Sequence, residues 1–109
     1  MNERNDIPVA CHLSDLALRE REATLLAQFR SAVIATEELA DGYAFRLPGD
    51  GKTIALVADV IAAERRCCPF LAFELVAQPN MAPVIVRVTG PGGSKEFLKT
   101  ILCKPDKAI

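Results

Sequence analysis

Glu64-Arg65-Arg66-Cys67-Cys68-Pro69-Phe70, in the middle of the chain, brings together two adjacent thiols, a carboxylate and a proline. Counted in helical steps, Glu64 precedes Cys67 by three residues and Cys68 by four, so on one helix its carboxylate reaches either sulfur. Adjacent thiolates supported by a carboxylate suit a soft metal ion. The competing reading is packing, because free cysteine behaves as a small hydrophobe and is among the most buried residue types. Pro69 ends a helix and turns Cys68 away from helical geometry, which puts the pair at a helix C-terminus.

That location bears on the kind of thiol chemistry. A helix C-terminus carries partial negative charge and Glu64 adds more, so both raise the thiol pKa, while Arg65 and Arg66 pull it down. Nucleophilic cysteines of low pKa sit typically at helix N-termini, the opposite arrangement. A bound cation deprotonates the thiol by its own charge, which favours a ligand role over a nucleophile.

Further donors come from Cys11 and His12, which immediately precede the first helix. An arm ending there can fold onto the sheet and offer a third thiolate from Cys11. His12 offers imidazole, although no spacing demands it. The metal set read from the sequence is therefore Cys11, Cys67, Cys68 and Glu64, with His12 as an additional donor. The ion is of the Zn(II), Hg(II), Cu(I) or As(III) type. Neither cysteine pair has zinc-finger spacing. Cys103, at the end of the last helix, reads as incidental.

Other motifs carry less. Gly49-Asp50-Gly51-Lys52-Thr53 resembles the tail of a phosphate-binding loop, but the position that needs the first glycine is Arg46. Gly90-Pro91-Gly92-Gly93-Ser94-Lys95 fails similarly, and both segments read as turns with helix caps. Glu37, Glu38 and Asp41 surround a hairpin and read as solvated.

The chain has 109 residues, half hydrophobic and a quarter charged, which fits one domain over 1–109 with a single core. A formal net charge of −1 gives no bulk attraction to nucleic acid or anionic membrane. The polar first residues lack the apolar run of a secretory signal, and no stretch reaches the roughly eighteen apolar residues of a membrane span. The expectation is a cytoplasmic protein, where four cysteines serve as ligands, reactive thiols or core fillers rather than as a disulfide framework.

Residues 1–13 read as an extended arm. Ser14 is placed to cap an amphipathic helix over about 15–32, with Leu16, Leu18, Leu25, Leu26, Phe29 and Val33 alternating with Arg19, Glu20, Arg21, Glu22 and Arg30. Strand patterns at 34–39 and 43–47 flank Asp41-Gly42, a hairpin signal. A second helix over 53–67 should bury Ile54, Val57, Ala58 and Ile61. Strands over 70–76 and 84–88 form another hairpin, and Ser94 should cap a last helix. The order is α-ββ-α-ββ-α, an α+β fold with helices packed on a four-stranded, mainly antiparallel sheet. Each hairpin ends in a Pro/Gly-rich turn, a lysine and a helix, which suggests a ββα unit used twice.

The stretch from Glu64 to Leu75, with Asp41-Gly42-Tyr43-Ala44-Phe45-Arg46 before it and Val88 to Leu98 after it, resembles a group of small uncharacterised bacterial proteins. These share an E-R-x-C-C-P-F-x-x-F-E-L core, and their genes are often found near heavy-metal resistance genes and their regulators. The resemblance covers most of the chain. It implies a cysteine shortly before the first helix, which Cys11 matches, and it carries no established activity.

The resulting expectation is a metal-binding protein of metal handling or detoxification, a binder rather than an enzyme. The first alternative is a thiol-dependent reductase or transferase using Cys11 with Cys67 and Cys68. The second is an interaction module whose apolar sheet face pairs two subunits as a homodimer and whose cysteines are structural.

Overall fold

The computed structural model describes residues 16–103. The expected arm, Cys11, His12 and the Ser14 cap lie outside these residues. Three helices and a four-stranded antiparallel sheet follow in the order α1 (Leu16–Ala32), β1 (Ala35–Leu39), β2 (Gly42–Leu47), α2 (Gly51–Cys67), β3 (Ala72–Val76), β4 (Val84–Thr89) and α3 (Ser94–Ile101). This is the α+β arrangement read from the sequence.

The strand order is β1-β2-β4-β3, so the two hairpins meet through their second strands. Each hairpin leads into a helix, α2 after β2 and α3 after β4, which matches a ββα unit used twice. Period-two alternation sends Phe45 and Leu47 of β2 and Val84, Val86 and Val88 of β4 to one face, where all are buried. Helices cover that face. Phe29 of α1 meets Phe45 edge-on with ring centroids 5.4 Å apart, and Val57 and Val60 of α2 and Leu98 of α3 complete the core. Arg30 ties α1 to α3 by donating to the Ile101 carbonyl at 2.7 Å, one of the carbonyls a helix end leaves unpaired.

The open face of the sheet carries Arg46 and a cross-strand Arg87–Glu74 ion pair of 3.0 Å. The apolar sheet face is thus the one the helices pack against.

Three local readings differ from the sequence expectation. The first hairpin turns on Ala40-Asp41, with Leu39 opposite Gly42, so Gly42 opens β2 instead of occupying the turn. α2 begins at Gly51, capped by Asp50, and buries Val57, Val60, Glu64 and Cys67, whereas Ala58 is exposed. Ser94 is the first residue of α3 rather than its cap. Gly93, at φ 93°, takes the capping position, and the Ser94 hydroxyl is buried without a hydrogen-bond partner.

Candidate metal centre

α2 delivers the site. Asp50 starts the helix by accepting from the Thr53 amide at 3.2 Å and the Thr53 hydroxyl at 2.7 Å. Val57 and Val60 then seat it on the sheet, and the same buried stripe continues to Glu64 and Cys67. Pro69 stops the helix, as the sequence predicts. Cys68 leaves helical geometry at φ −128° and ψ 73°, and its amide still donates to the Glu64 carbonyl at 2.6 Å. The chain then turns through a Leu71 amide to Cys68 carbonyl bond of 3.1 Å into β3.

The donor atoms of Glu64, Cys67 and Cys68 converge within 4.8 Å of one another. All three residues are buried, with exposures of 1%, 1% and 0%. The Cys68 thiol donates to Glu64 Oε1 at 3.4 Å, and Oε2 of the same carboxylate has no hydrogen-bond donor. A buried acceptor without a donor is costly, and a buried charge without a counter-charge more so. Among the described residues no lysine or arginine forms an ion pair with Glu64. Arg65 and Arg66 occupy the last turn of the helix but are exposed, and neither is among the groups that shift Cys68, so the lowering of the thiol pKa expected from them does not appear there.

The electrostatics follow from burial. Desolvation pushes the Glu64 carboxyl well above the ordinary carboxylate range, and the neighbouring carboxyl of Glu22 pushes it further, while the Cys68 thiol draws it down. Desolvation likewise raises the Cys68 thiol far above its usual value, with the negative charge of Glu64 adding to the effect. A thiol held this way is a poor nucleophile by itself. A cation placed among the three donors offsets every one of these penalties, because it supplies positive charge and accepts each lone pair.

Cys68 and Cys103 are free thiols, and Cys67 is disulfide-bonded. The sequence reading had favoured thiols over disulfides, so Cys67 is a correction to it. The three donors act as one set when Cys67 is reduced. Of the residues read as ligands, the structure brings Glu64, Cys67 and Cys68 together, while Cys11 and His12 lie outside the described residues. Cys103 is partly buried and stands outside the group of converging donors.

Glu22 is the residue that sequence reasoning missed. Grouped with Arg19, Glu20 and Arg21, it reads as part of a solvated face. Its spacing says otherwise, because Glu22 falls four residues after Leu18, three before Leu25 and seven before Phe29, on the stripe that faces the core. The charge of Glu22 acts on Glu64 and raises its carboxyl. A cleft of about 150 Å³ between α1 and α2 is lined by Leu18, Arg21, Glu22, Asp59, Ala63 and Arg66.

No family model, curated protein or solved structure matches the chain. Among the described residues no helix is long and apolar enough to cross a membrane.

Proposed function

We propose that the protein binds a soft or borderline metal ion through Cys67, Cys68 and Glu64 and serves in metal handling or detoxification. The observation that carries this reading is the convergence of three buried donor atoms within 4.8 Å, one of them a carboxylate whose second oxygen has no donor. Packing alone does not call for a carboxylate in that position. The resemblance of the Glu64 to Leu75 stretch to proteins encoded near heavy-metal resistance genes points the same way. A reducing cytosol, the compartment the sequence suggests, would keep Cys67 available as a thiolate. Zn(II), Hg(II), Cu(I) and As(III) are the candidate ions, with Cys11 and His12 as further donors.

The test is native mass spectrometry of reduced, metal-free protein offered each ion in turn, beside a Cys67→Ser/Cys68→Ser variant. One ion per chain, lost in the double variant, is the expected result. Binding by none of the four ions, or equal binding by the variant, ends the reading.

The disulfide at Cys67, beside the free thiol of Cys68, favours a second reading, a thiol-dependent reductase or transferase. Burial and the raised pKa of Cys68 oppose it. Reaction of Cys68 with a thiol reagent in the native state, at a rate comparable with a free thiol, would favour it over metal binding.

A further inference from the structure

The disulfide at Cys67 has one partner to go to within the chain. There are four cysteines, and Cys68 and Cys103 are free thiols, which leaves Cys11. The packing of the helices agrees. One cleft is lined by Leu18, Arg21 and Glu22 from the first half of α1 and by Ala62, Ala63 and Arg66 from the second half of α2. The two helices therefore run antiparallel, with the start of α1 beside the end of α2, and Cys67 is the last residue of α2. Cys11 stands five residues before Leu16, and five extended residues span at most about 18 Å, so the chain tethers Cys11 within reach of Cys67.

We propose that Cys67 is bonded to Cys11 and that this bond is a redox latch on the metal centre. The inference rests on the metal reading above and adds its regulation. The sulfur of Cys67 lies among the donor atoms of Glu64 and Cys68, all within 4.8 Å of one another. A sulfur bonded to another sulfur is no thiolate, and the thiolate is the form that ligates. With the latch closed, the buried set keeps Glu64 and Cys68 alone. Reduction returns Cys67 to it and completes the three donors. A bond that served only to staple the fold has no need to engage one of these donors, yet this one does so and leaves the adjacent Cys68 free.

Closing the latch takes a two-electron oxidant, here a low-molecular-weight disulfide. The Cys11 thiolate attacks one sulfur of that disulfide and displaces a thiolate, which leaves a mixed disulfide on Cys11. The Cys67 thiolate then attacks the Cys11 sulfur, forms the intrachain bond and displaces the second thiolate. Two electrons pass to the incoming disulfide, the protons of the two cysteines go to the departing thiolates or to solvent, and an ion held by Cys67 is released. A dithiol reductant opens the latch by the same steps in reverse. In a reducing cytosol a disulfide of this kind is transient and redox-sensing, so the centre holds its ion while the cell is reducing and gives it up on oxidation.

The experiment uses the full chain equilibrated with oxidised glutathione, alkylated with iodoacetamide under denaturing conditions and digested with trypsin. The expected map joins the peptide of residues 5–19 to that of residues 67–87, with fragmentation placing the bond at Cys67 and alkyl groups at Cys68 and Cys103. Native mass spectrometry then compares the oxidised chain with the chain reduced and freed of reductant, each offered Zn(II) or As(III). One ion per chain after reduction and none before it is the expected result. Cys11→Ser, handled under inert gas, should take up the ion equally with and without prior reduction. An alkylated or glutathione-bound Cys11 in the oxidised wild type would overturn the latch. So would ion uptake by the wild type that does not depend on reduction, or a Cys11→Ser protein that still needs reductant. A reduced wild type that binds neither ion would overturn the metal reading, and it would do so with the linked peptide still in the map, which keeps the two failures apart. The peptide map needs no variant, so it decides the pairing even where Cys11→Ser fails to fold.

Discussion

The Cys68 thiol donates to Oε1 of Glu64 across the last turn of α2, at 3.4 Å, and leaves Oε2 of the same buried carboxylate without a donor. In the metal-free protein this arrangement works against the fold. The folded-state pKa of Glu64 is raised above its ordinary 4.5, so its effect has a definite sign. Stability is full below about pH 4.5 and falls as the pH rises toward the folded-state value, because the folded chain holds a proton that the unfolded chain has released. Glu64→Gln should therefore stabilise the metal-free protein at neutral pH by about 1–3 kcal/mol, since the amide has no charge to desolvate and its oxygen still accepts from Cys68. Urea denaturation between pH 5 and about pH 8 checks this, with a flatter pH profile expected for the variant over that window. An equally steep profile would mean that Glu64 is not the group responsible. The same variant should lose ion binding, so it would trade function for stability.

Metal addition and removal should show the same balance from the other side. An ion that binds only the folded chain adds about 2.7 kcal/mol when present at a hundredfold excess over its Kd. Thermal melts of reduced protein with and without Zn(II) should therefore separate, and chelator should bring them back together. Protein kept oxidised at Cys67 should show no such separation, because one of the thiolates is engaged in a disulfide. A metal-dependent shift of equal size in the oxidised protein would remove Cys67 from the ligand set.

Much of this was legible in the sequence. Alternation in β2 and β4, the helix stop at Pro69 and the repeated Pro/Gly-rich turns gave the order of elements and the position of the site. What escaped were features that depend on tertiary neighbours. Glu22 and Glu64 each interrupt an apolar stripe, at positions where the local pattern calls for leucine or valine, and only the packing of α1 on α2 shows that the charge of Glu22 bears on Glu64. Arg65 and Arg66 read from the sequence as lowering the thiol pKa, but both are exposed and neither acts on Cys68. Ser94 follows Gly93 in a sequence that resembles a side-chain cap, yet the left-handed Gly93 takes that position, and the serine rotates into the core.

Gly42 illustrates the same point and gives a sharper test. Its role lies in the β2–β4 pairing and not in the turn: a Cβ there would sit 1.9 Å from the Val88 carbonyl oxygen and 2.8 Å from the Thr89 Cα. Backbone cannot rotate aside as a side chain can, so β2 and β4 would have to separate at the Gly42–Thr89 pair. Gly42→Ala should cost upwards of about 2 kcal/mol, the scale of an overpacked core. Gly51→Ala is the matched control. Nothing lies within 4 Å of a Cβ at that position, and it opens α2. The control should gain about 0.4–1 kcal/mol through the unfolded state. Equal effects at the two glycines in chemical denaturation would show that the β2–β4 pairing tolerates a side chain at position 42.

The start of α2 matters to the site because whatever frays the first turn loosens the helix that carries Glu64, Cys67 and Cys68. Asp50 accepts from both the amide and the hydroxyl of Thr53, and these bonds hold its carboxyl below its ordinary 3.8, the hydroxyl bond first and the amide bond second. The contribution of the ionised cap is therefore present above about pH 3.8 and is lost as the pH falls through the lower folded-state value. Asp50→Ala should be less stable than wild type at neutral pH, and the two melts should approach one another in acid as the wild-type cap is protonated. Asp50→Asn keeps an acceptor for the Thr53 amide and does not titrate, so it should restore part of the stability and hold it into acid. Thermal melts of the three proteins from neutral pH down to about pH 2.5 measure this directly, and a gap between wild type and Asp50→Ala that persists unchanged in acid would show that the cap acts through something other than its charge.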